Sequence, residues 1–491
     1  MRKLIIAGII SVFALVSCEK LEEINKNPNN VSETHPQFLL TNIEWNAFQV
    51  TGASPLYAGR MIVQTDGEEV YQYYKWDRGS FDGYGRLRDV NKMIEEARRI
   101  NNKSYEALGK FFRAYYFYNL TLLFGDIPYS QALKGESDGL YNPAYDSQKD
   151  VFKGILTELE EANDLITDDL IEGDIIFNKN PYKWKKLINS FRLKVLITLS
   201  KKESDTDLNV KEKFAAIAGS QPIMQSTDDN AQLIFSDQLG ARYTEYNNSN
   251  YGSARYMDST FIKRLQDRRD PRLFIYAGQT RNAKEAGLAL NDFNAYEGGN
   301  PIAPYNDVNL KAAEGKVSRV NLRYTTDPTN EPHMLLGYHE LQLIFAEARL
   351  RGWITSSDVK TYYNNGIKAS FNFYNKYAKG YSAWMDDAAA EAYLLEVLIN
   401  LDNAVSDNEK LERIIMQKYL ASFLQGGWNM YFDHLRTGYP VFLTLPGVTP
   451  PTRWMYPTSE YQYNNANVTA AISSQYGPGN DKIREIPWWL K

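Results

Sequence analysis

Hydrophobic positions recur with a helical period along most of this chain, and the clearest case is the run around residues 113–129. Two adjacent faces of that run are apolar and aromatic, with Phe111, Tyr115, Tyr118 and Leu122 on one and Phe112, Tyr116, Asn119 and Leu123 on the other. Gly125 stands where a C-capping glycine ends a helix, and Pro128 follows three residues later. Faces this wide and aromatic predict a helix in the core, with Tyr115 and Tyr116 among its buried side chains.

The same period predicts further helices on both sides of that run. They cover residues 38–48, 86–101, 150–166, 184–200, 338–351, 359–374 and 409–424. Residues 53–70 are compatible with one more helix. Because helical stretches follow one another closely within 86–200 and 338–424, we predict a mostly α-helical scaffold with paired helices in these two parts of the chain.

Residues 203–330 interrupt the helical pattern. They are rich in Asn, Gly, Pro, Asp and Tyr, and only residues 211–218 and 260–266 show a short helical period. A long irregular region in an otherwise helical chain is more often functional than accidental. We therefore expect this region to contribute to the function of the protein.

Composition narrows the class of protein. The 491 residues, with 43% hydrophobic content, allow one large or two medium domains with a sizeable core. The net charge is −5, without a basic block, so we expect no nucleic-acid partner. The 35 tyrosines and 9 tryptophans are a heavy aromatic load that offers many rings for ligand stacking.

The first residues of the chain have the pattern of an exported lipoprotein. Arg2 and Lys3 precede an apolar run at 4–16 that is too short to span a bilayer. The following Ser17-Cys18 resembles a lipoprotein cleavage box, so we predict a signal peptide at 1–17 and a lipid on Cys18, the only cysteine of the chain. The alternative is an ordinary secretory signal with an incidental cysteine. The polar residues 18–35 then form a tether to a single folded body at 36–491.

A series of short motifs resembles the SusD/RagB-like nutrient-binding lipoproteins, in particular their SusD-like 2 branch. In chain order they are Arg113-Ala114-Tyr115-Tyr116-Phe117, Phe124-Gly125-Asp126-Ile127-Pro128-Tyr129, Asn189-Ser190-Phe191-Arg192-Leu193, Asp270-Pro271-Arg272, Ala346-Glu347-Ala348 with Arg351-Gly352-Trp353, Arg436-Thr437-Gly438-Tyr439-Pro440, and Tyr456-Pro457 with Glu460. One departure is Leu435, where the family usually has a further arginine. The resemblance implies a mostly α fold: a tetratricopeptide-like scaffold of helix pairs with a loop-rich ligand-binding portion packed on it.

The resemblance also implies a function. It predicts a protein anchored to the outer membrane through the Cys18 lipid and exposed on the cell surface. This protein would bind an oligomeric nutrient and deliver it to a SusC-like TonB-dependent transporter. A glycan is the first expectation for the ligand, and a peptide is the alternative. Neither a cofactor nor catalysis is implied.

Other chemistry finds little support in the sequence. His333 and His339 are not at a helical metal-ligand spacing, and no Walker loop or dinucleotide-binding turn is present. The abundant carboxylates leave a glycoside hydrolase open as a less favoured alternative. Asp228-Asp229 could contact calcium, although a solvated loop is the preferred interpretation. A purely structural helical adaptor is a third hypothesis.

We expect ligand contacts from aromatic side chains outside the long helical periods. Sugars present C–H faces that stack on rings, and their hydroxyls need polar partners. The candidates lie beside Gly, Asn and Asp, where rings tend to reach the surface: Tyr71, Tyr73, Tyr74, Trp76, Tyr84, Tyr243, Tyr246, Tyr251 and Tyr296. Trp76 is the strongest candidate because an indole offers the largest face. The alternative for each residue is that its ring only packs a loop in place.

Overall fold

The computed structural model describes residues 33–491, so the predicted signal peptide, Cys18 and most of the tether lie outside it. The described chain is mostly α-helical. Its longer helices are α1 (Pro36–Ala47), α3 (Asp82–Arg99), α4 (Lys103–Phe124), α6 (Gln148–Leu165), α7 (Pro181–Thr198), α8 (Val210–Ser220), α10 (Ser259–Asp267), α13 (Tyr305–Ala313), α15 (Tyr338–Leu350), α16 (Val359–Tyr377), α17 (Asp387–Leu394), α18 (Asp407–Leu420), α19 (Asn429–Thr437) and α21 (Asn465–Tyr476). The shorter ones are α2 (Ser54–Ala58), α5 (Gly135–Asp138), α9 (Asn250–Ser253), α11 (Arg272–Tyr276), α12 (Arg281–Glu285), α14 (Arg323–Thr326) and α20 (Thr458–Tyr463).

Consecutive long helices pack against each other in pairs. Helix α4 contacts both α3 before it and α6 after it, and α15 packs on α16 and α18. Short connections at 100–102 and 351–358 bring α4 back along α3 and α16 back along α15, so the apolar faces of these neighbours cover one another. The predicted scaffold of tetratricopeptide-like helix pairs is confirmed. Within residues 33–491, no helix is both long and apolar enough to cross a membrane.

Helix α4 has well-defined ends. It begins after Asn102, whose side chain accepts the N–H of Tyr105 at 3.2 Å. It ends at Gly125, whose φ of +96° is a conformation that side chains with a Cβ rarely adopt. A Cβ at this position would also lie 2.3 Å from Gln475 Oε1. The sequence therefore needs glycine here because of this backbone conformation, whereas the side chain of Gln475 could move aside for a Cβ.

The residues after Gly125 connect α4 to its neighbours. Asp126 Oδ1 accepts the N–H of Gln148, the first residue of α6, at 2.7 Å. The backbone carbonyl of Asp126 accepts the hydroxyl of Tyr456 at 2.6 Å, and Tyr129 Oη donates to Glu158 Oε1 at 2.6 Å. The motif at 124–129 therefore has a structural role, because it joins the end of α4 to α6 and to the C-terminal segment.

We expect the wild-type protein to lose stability as the pH rises from about 4 to about 7, and Asp126→Asn to reduce this loss. Burial raises the pKa of the Asp126 carboxyl to about 7, whereas an unfolded aspartate titrates at about 3.9. Between these values the folded state keeps a proton that the unfolded state has released. The stabilising contribution of protonated Asp126 is therefore complete below the unfolded pKa and is lost as the pH rises through the folded pKa. Urea unfolding across this pH range measures the effect.

Asparagine at this position still offers an Oδ1 acceptor to Gln148 N–H but carries no charge. The difference in unfolding free energy between the variant and the wild-type protein should therefore move in favour of the variant as the pH rises. Asp387→Asn, at an exposed carboxylate of α17, controls for the loss of one negative charge. Parallel pH profiles for Asp126→Asn and the wild-type protein would show that the prediction is wrong.

Two small antiparallel sheets join distant parts of the chain. Strand β1 (Ile62–Gln64) pairs with β3 (Arg255–Met257), and β2 (Ala231–Leu233) pairs with β4 (His333–Leu336). The expectation of a helix over 53–70 is wrong, since only α2 is helical there and β1 follows it. The pairing of β1 with β3 from the irregular region explains this, because such long-range contacts leave no helical period.

A buried ion-pair network links two of the motifs. Glu347 of α15 is fully buried, and its two carboxylate oxygens accept hydrogen bonds from Arg436 of α19, with Nη2 at 2.8 Å from Oε2. Arg351 Nε donates to the same carboxylate at 2.8 Å, and Asp433 also pairs with Arg436 at 2.7 Å. Burial alone would raise the pKa of Glu347, but the positive charges of Arg436 and Arg351 more than offset it and lower that pKa below its usual value. This network fixes α19, and thereby the loop before it.

A candidate ligand-binding cleft

A cleft of about 410 Å3 lies where the end of α1, the middle of α4, strand β4 and the start of α19 meet. Its lining combines aromatic rings with side-chain amides. The rings include Tyr115, Tyr116 and Trp428, and the amides are those of Asn46, Gln49, Asn119 and Asn429. Rings that stack and amides that both donate and accept hydrogen bonds are what an uncharged polar ligand such as a sugar requires.

Helix α4 supplies one wall of the cleft. Tyr115 and Tyr116 pack against the main core but are only half-buried, and both line the cleft. The prediction that they are core side chains is therefore confirmed only in part. The hydroxyl of Tyr115 donates to the carbonyl of Ala47 at 3.3 Å, and Asn119 Nδ2 donates to the carbonyl of Tyr115 at 2.9 Å. The neighbouring helices do not cover the full width of the apolar faces of α4. Tyr115, Tyr116 and Asn119 therefore remain at the uncovered edge.

The loop before α19 supplies the opposite wall. Gly427 has a φ of +53°, and a Cβ there would lie 2.6 Å from the hydroxyl oxygen of Thr51. Glycine therefore lets this loop approach the segment after α1 closely. The next residue, Trp428, is half-buried at the cleft, with its ring edge-on to Trp454 at 4.7 Å between centroids. Trp428 is thus an indole held in place from behind and open on the side of the cleft.

The aromatic cluster comprises Tyr71, Tyr74, Trp76, Trp428, Tyr431 and Trp454. Trp76 lies at its centre, 5.2 Å from Tyr71, 5.1 Å from Trp454 and 6.1 Å from Trp428. Only 3% of Trp76 is exposed, so the expectation that its ring offers a free stacking face is wrong. Residues 71–76 turn inward because packing against Trp428 and Trp454 removes the apolar surface of their rings from water. Tyr71 and Trp428 are the half-buried outer rings of the cluster.

The other predicted site residues lie in several places. We expected these rings to be exposed, but five of them are buried: Tyr73, Tyr74, Tyr243, Tyr251 and Tyr296. Tyr84 and Tyr246 are half-buried. The hydroxyls of four of them donate to backbone carbonyls: Tyr73 to Ala303, Tyr74 to Ala58, Tyr84 to Pro128 and Tyr296 to Leu290. The loops use these rings as internal anchors, because a tyrosine can satisfy a buried carbonyl while it fills space.

The remaining three tyrosines pack against their own surroundings. Tyr243 lies edge-on to Phe235 at 5.2 Å, and the guanidinium groups of Arg242 and Arg255 stack over Tyr246 and Tyr251 at 5.2 and 4.7 Å. None of the nine predicted residues is among the described residues that line the cleft. Tyr71, Tyr74 and Trp76 lie together in the aromatic cluster, and Tyr71 and Trp76 contact Trp428, which does line it. Neighbours in sequence alone could not reveal Trp428, which joins this cluster from the far end of the chain.

The electrostatics of the cleft are simple. No carboxylate is among the described residues that line it, and its one ammonium group, Lys194 Nζ, lies 3.0 Å from Glu340 Oε1. Burial lowers the pKa of His333 to about 4, so this ring is neutral at pH 7. The cleft therefore suits an uncharged ligand.

Asp229, one of the two acids considered for calcium, lies outside the cleft lining. It is buried and pairs with Lys186 at 2.8 Å.

Comparisons with known proteins agree with this architecture. Residues 28–457 match the model of the SusD-like 2 family, which is described as starch-binding and associating with the outer membrane. A SusD homologue from Bacteroides fragilis NCTC 9343 is 51% identical, with 94% of this chain and 100% of that chain covered and a TM-score of 0.89. A second SusD homologue from that strain is 34% identical over 93% of this chain and 100% of that chain, with a TM-score of 0.86.

A more distant relative shares the fold. It is a chitin-binding SusD homologue from Flavobacterium johnsoniae, 20% identical over 93% of this chain and 99% of that chain, with a TM-score of 0.72. A search of the curated proteins finds no match. The family model spans most of the chain, and two solved SusD homologues follow it along nearly its whole length. This chain belongs to the SusD-like family of nutrient-binding proteins associated with the outer membrane.

Proposed function

We propose that the protein is a surface lipoprotein that captures a neutral oligosaccharide in the cleft beside Trp428. The observation that carries this proposal is a half-buried indole among side-chain amides, with no carboxylate in the described lining. One sugar ring would stack on Trp428. Tyr71 lies outside the cleft lining, with its ring 5.6 Å from that of Trp428, and would extend the surface for a second sugar ring. Asn46, Asn119 and Asn429 would meet the sugar hydroxyls.

The cleft does not favour hydrolysis. Glycoside hydrolases generally need two carboxylates, one on each side of the scissile bond. The charged group of the described lining is Lys194, and it already pairs with Glu340. We therefore propose that this chain binds its ligand without transforming it.

Our proposals for the anchor and the partner rest on the family. We propose that Cys18 carries the lipid that holds the protein at the outer membrane, and that a SusC-like TonB-dependent transporter receives the ligand. Support comes from the family's association with the outer membrane and from the lipoprotein pattern at Cys18. Purification from membranes in mild detergent at native expression tests the partner. Recovery of a large barrel protein with this chain supports it, and recovery of this chain alone contradicts it.

The ligand class is tested with the purified protein and four probes. These are soluble starch, maltoheptaose, chitohexaose and a mixture of tryptic peptides, measured by calorimetry and, for starch, by affinity electrophoresis. Binding of an oligosaccharide without release of new reducing ends supports the proposal. Binding of the peptides alone would make this chain a peptide-binding member of the family, and new reducing ends would indicate a hydrolase.

A further inference from the structure

His333 is a buried histidine whose tautomer is fixed by its surroundings. It begins strand β4, opposite Leu233 of β2, and only 4% of it is exposed. Its Nδ1 lies 2.8 Å from the backbone carbonyl oxygen of Phe48. A carbonyl oxygen can only accept, so Nδ1 carries the proton and donates it. The neutral ring then keeps a lone pair on Nε2, which is an acceptor.

This acceptor has no partner among residues 33–491. His333 Nε2 is buried, and no described donor lies within hydrogen-bond distance of it. Natural structures leave few buried polar atoms unsatisfied, since each loses its hydrogen bonds to water. His333 is also one of the residues that line the cleft. A bound molecule would satisfy this acceptor if its hydroxyl displaced the side chains that cover Nε2.

The charges of the cleft select the kind of donor. Lys194 also lines it, and its ammonium group pairs with Glu340 at 3.0 Å. A ligand ammonium would find no carboxylate in the described lining to pair with. A hydroxyl donates a hydrogen bond without adding a charge. The neutral imidazole therefore suits a hydroxyl rather than an ammonium group.

We propose that His333 Nε2 accepts a hydrogen bond from a hydroxyl of the bound ligand and thereby determines which sugars the cleft takes. This inference rests on the proposed function of the cleft and adds a specificity-determining residue to it. A site built to accept one hydroxyl should discriminate against a sugar that is deoxygenated or O-methylated at that position, because Nε2 would again lack a donor.

The tautomer is tested first, in the full-length protein labelled with 15N-histidine. A long-range 1H–15N correlation spectrum at pH 7 should show His333 protonated at Nδ1 and unprotonated at Nε2. Saturation with maltoheptaose or chitohexaose should then shift the Nε2 resonance and leave Nδ1 protonated. A free protein that carries its proton on Nε2 overturns the inference without any ligand. A probe that binds without moving the Nε2 resonance overturns it as well.

A pair of variants separates ligand contact from structure. In His333→Asn the side-chain NH2 can still donate to Phe48, but Nε2 is removed, so affinity for the probe that binds should fall by about tenfold, the scale of one hydrogen bond. His434→Asn is the matched control, since His434 Nδ1 also lies 2.8 Å from a backbone carbonyl, that of Pro440, but His434 does not line the cleft. Wild-type affinity in His333→Asn, or an equal loss in both variants, overturns the inference.

Failure of the proposed function and failure of the proposed role of His333 give different results. If the wild-type protein binds neither probe and no other oligosaccharide, the proposed function fails. The tautomer of the free protein still decides whether the acceptor exists. If an oligosaccharide binds and His333→Asn binds it as tightly as the wild-type protein, the proposed function stands and the role of His333 is wrong.

Discussion

Glu347→Gln is expected to lower the free energy of unfolding by about 3–5 kcal/mol, the usual cost of breaking a buried ion pair from one side. The carboxylate is fully buried and is the shared partner of Arg436 and Arg351. Glutamine keeps the shape of the side chain but removes the negative charge that neutralises the two guanidinium groups. Only 1% of the Arg436 side chain is exposed, so water cannot replace that charge. Urea unfolding at pH 7 measures the change.

An exposed ion pair provides the control for this prediction. Lys263 and Asp267 of α10 are 2.9 Å apart, with 71% and 43% of their side chains exposed. Asp267→Asn should cost no more than about 1 kcal/mol, because water screens that pair. A loss as small as this in Glu347→Gln would mean that the buried network does not hold α19 in place.

Trp76→Ala is expected to lower the free energy of unfolding by about 3–5 kcal/mol, the range for truncation of a buried aromatic ring. Trp76 stacks on Trp454 and contacts Tyr71, Trp428 and Tyr431. Its removal would leave a cavity behind Trp428, so ligand affinity should fall as a secondary consequence. Urea unfolding and calorimetry on the same preparation measure both effects.

Trp76→Phe is the matched variant. The indole N–H of Trp76 has no hydrogen-bond partner among the described residues, so phenylalanine sacrifices ring area but no bond. We expect it to cost clearly less stability than alanine and to keep most of the affinity. If Trp76→Ala folds as stably as the wild-type protein, the ring is not part of the core.

The helical scaffold could be predicted from the sequence because its signals are local. Helix α4 carries two wide apolar faces and a glycine at its end. In the helices on either side, apolar residues recur every three to four positions. The pairing of β1 with β3 could not be predicted, since it joins residues almost two hundred positions apart. For the same reason the sequence identifies Glu347 and Arg436 as parts of two motifs but does not predict that they contact each other.

The site was harder to predict than the scaffold. The predicted residues Tyr71 and Trp76 contact Trp428 of the candidate cleft, but their exposure depends on the rings of Trp428 and Trp454. Tyr115 and Tyr116 follow the period of a core helix, yet they line the cleft because no neighbour covers that edge. An exposed ring and a buried ring have the same sequence environment here. Only the packing of distant segments distinguishes them.

The most direct test of the cleft is the affinity of Trp428→Ala for the oligosaccharide that binds the wild-type protein, measured by calorimetry. Loss of the stacking ring should weaken binding by about 1–3 kcal/mol, on the scale known for a base on an aromatic side chain. Trp384→Ala, at a half-buried indole that packs on Phe274 outside the cleft, should bind like the wild-type protein. Unchanged affinity in Trp428→Ala, with the protein folded, would contradict the assignment of the cleft as the ligand site.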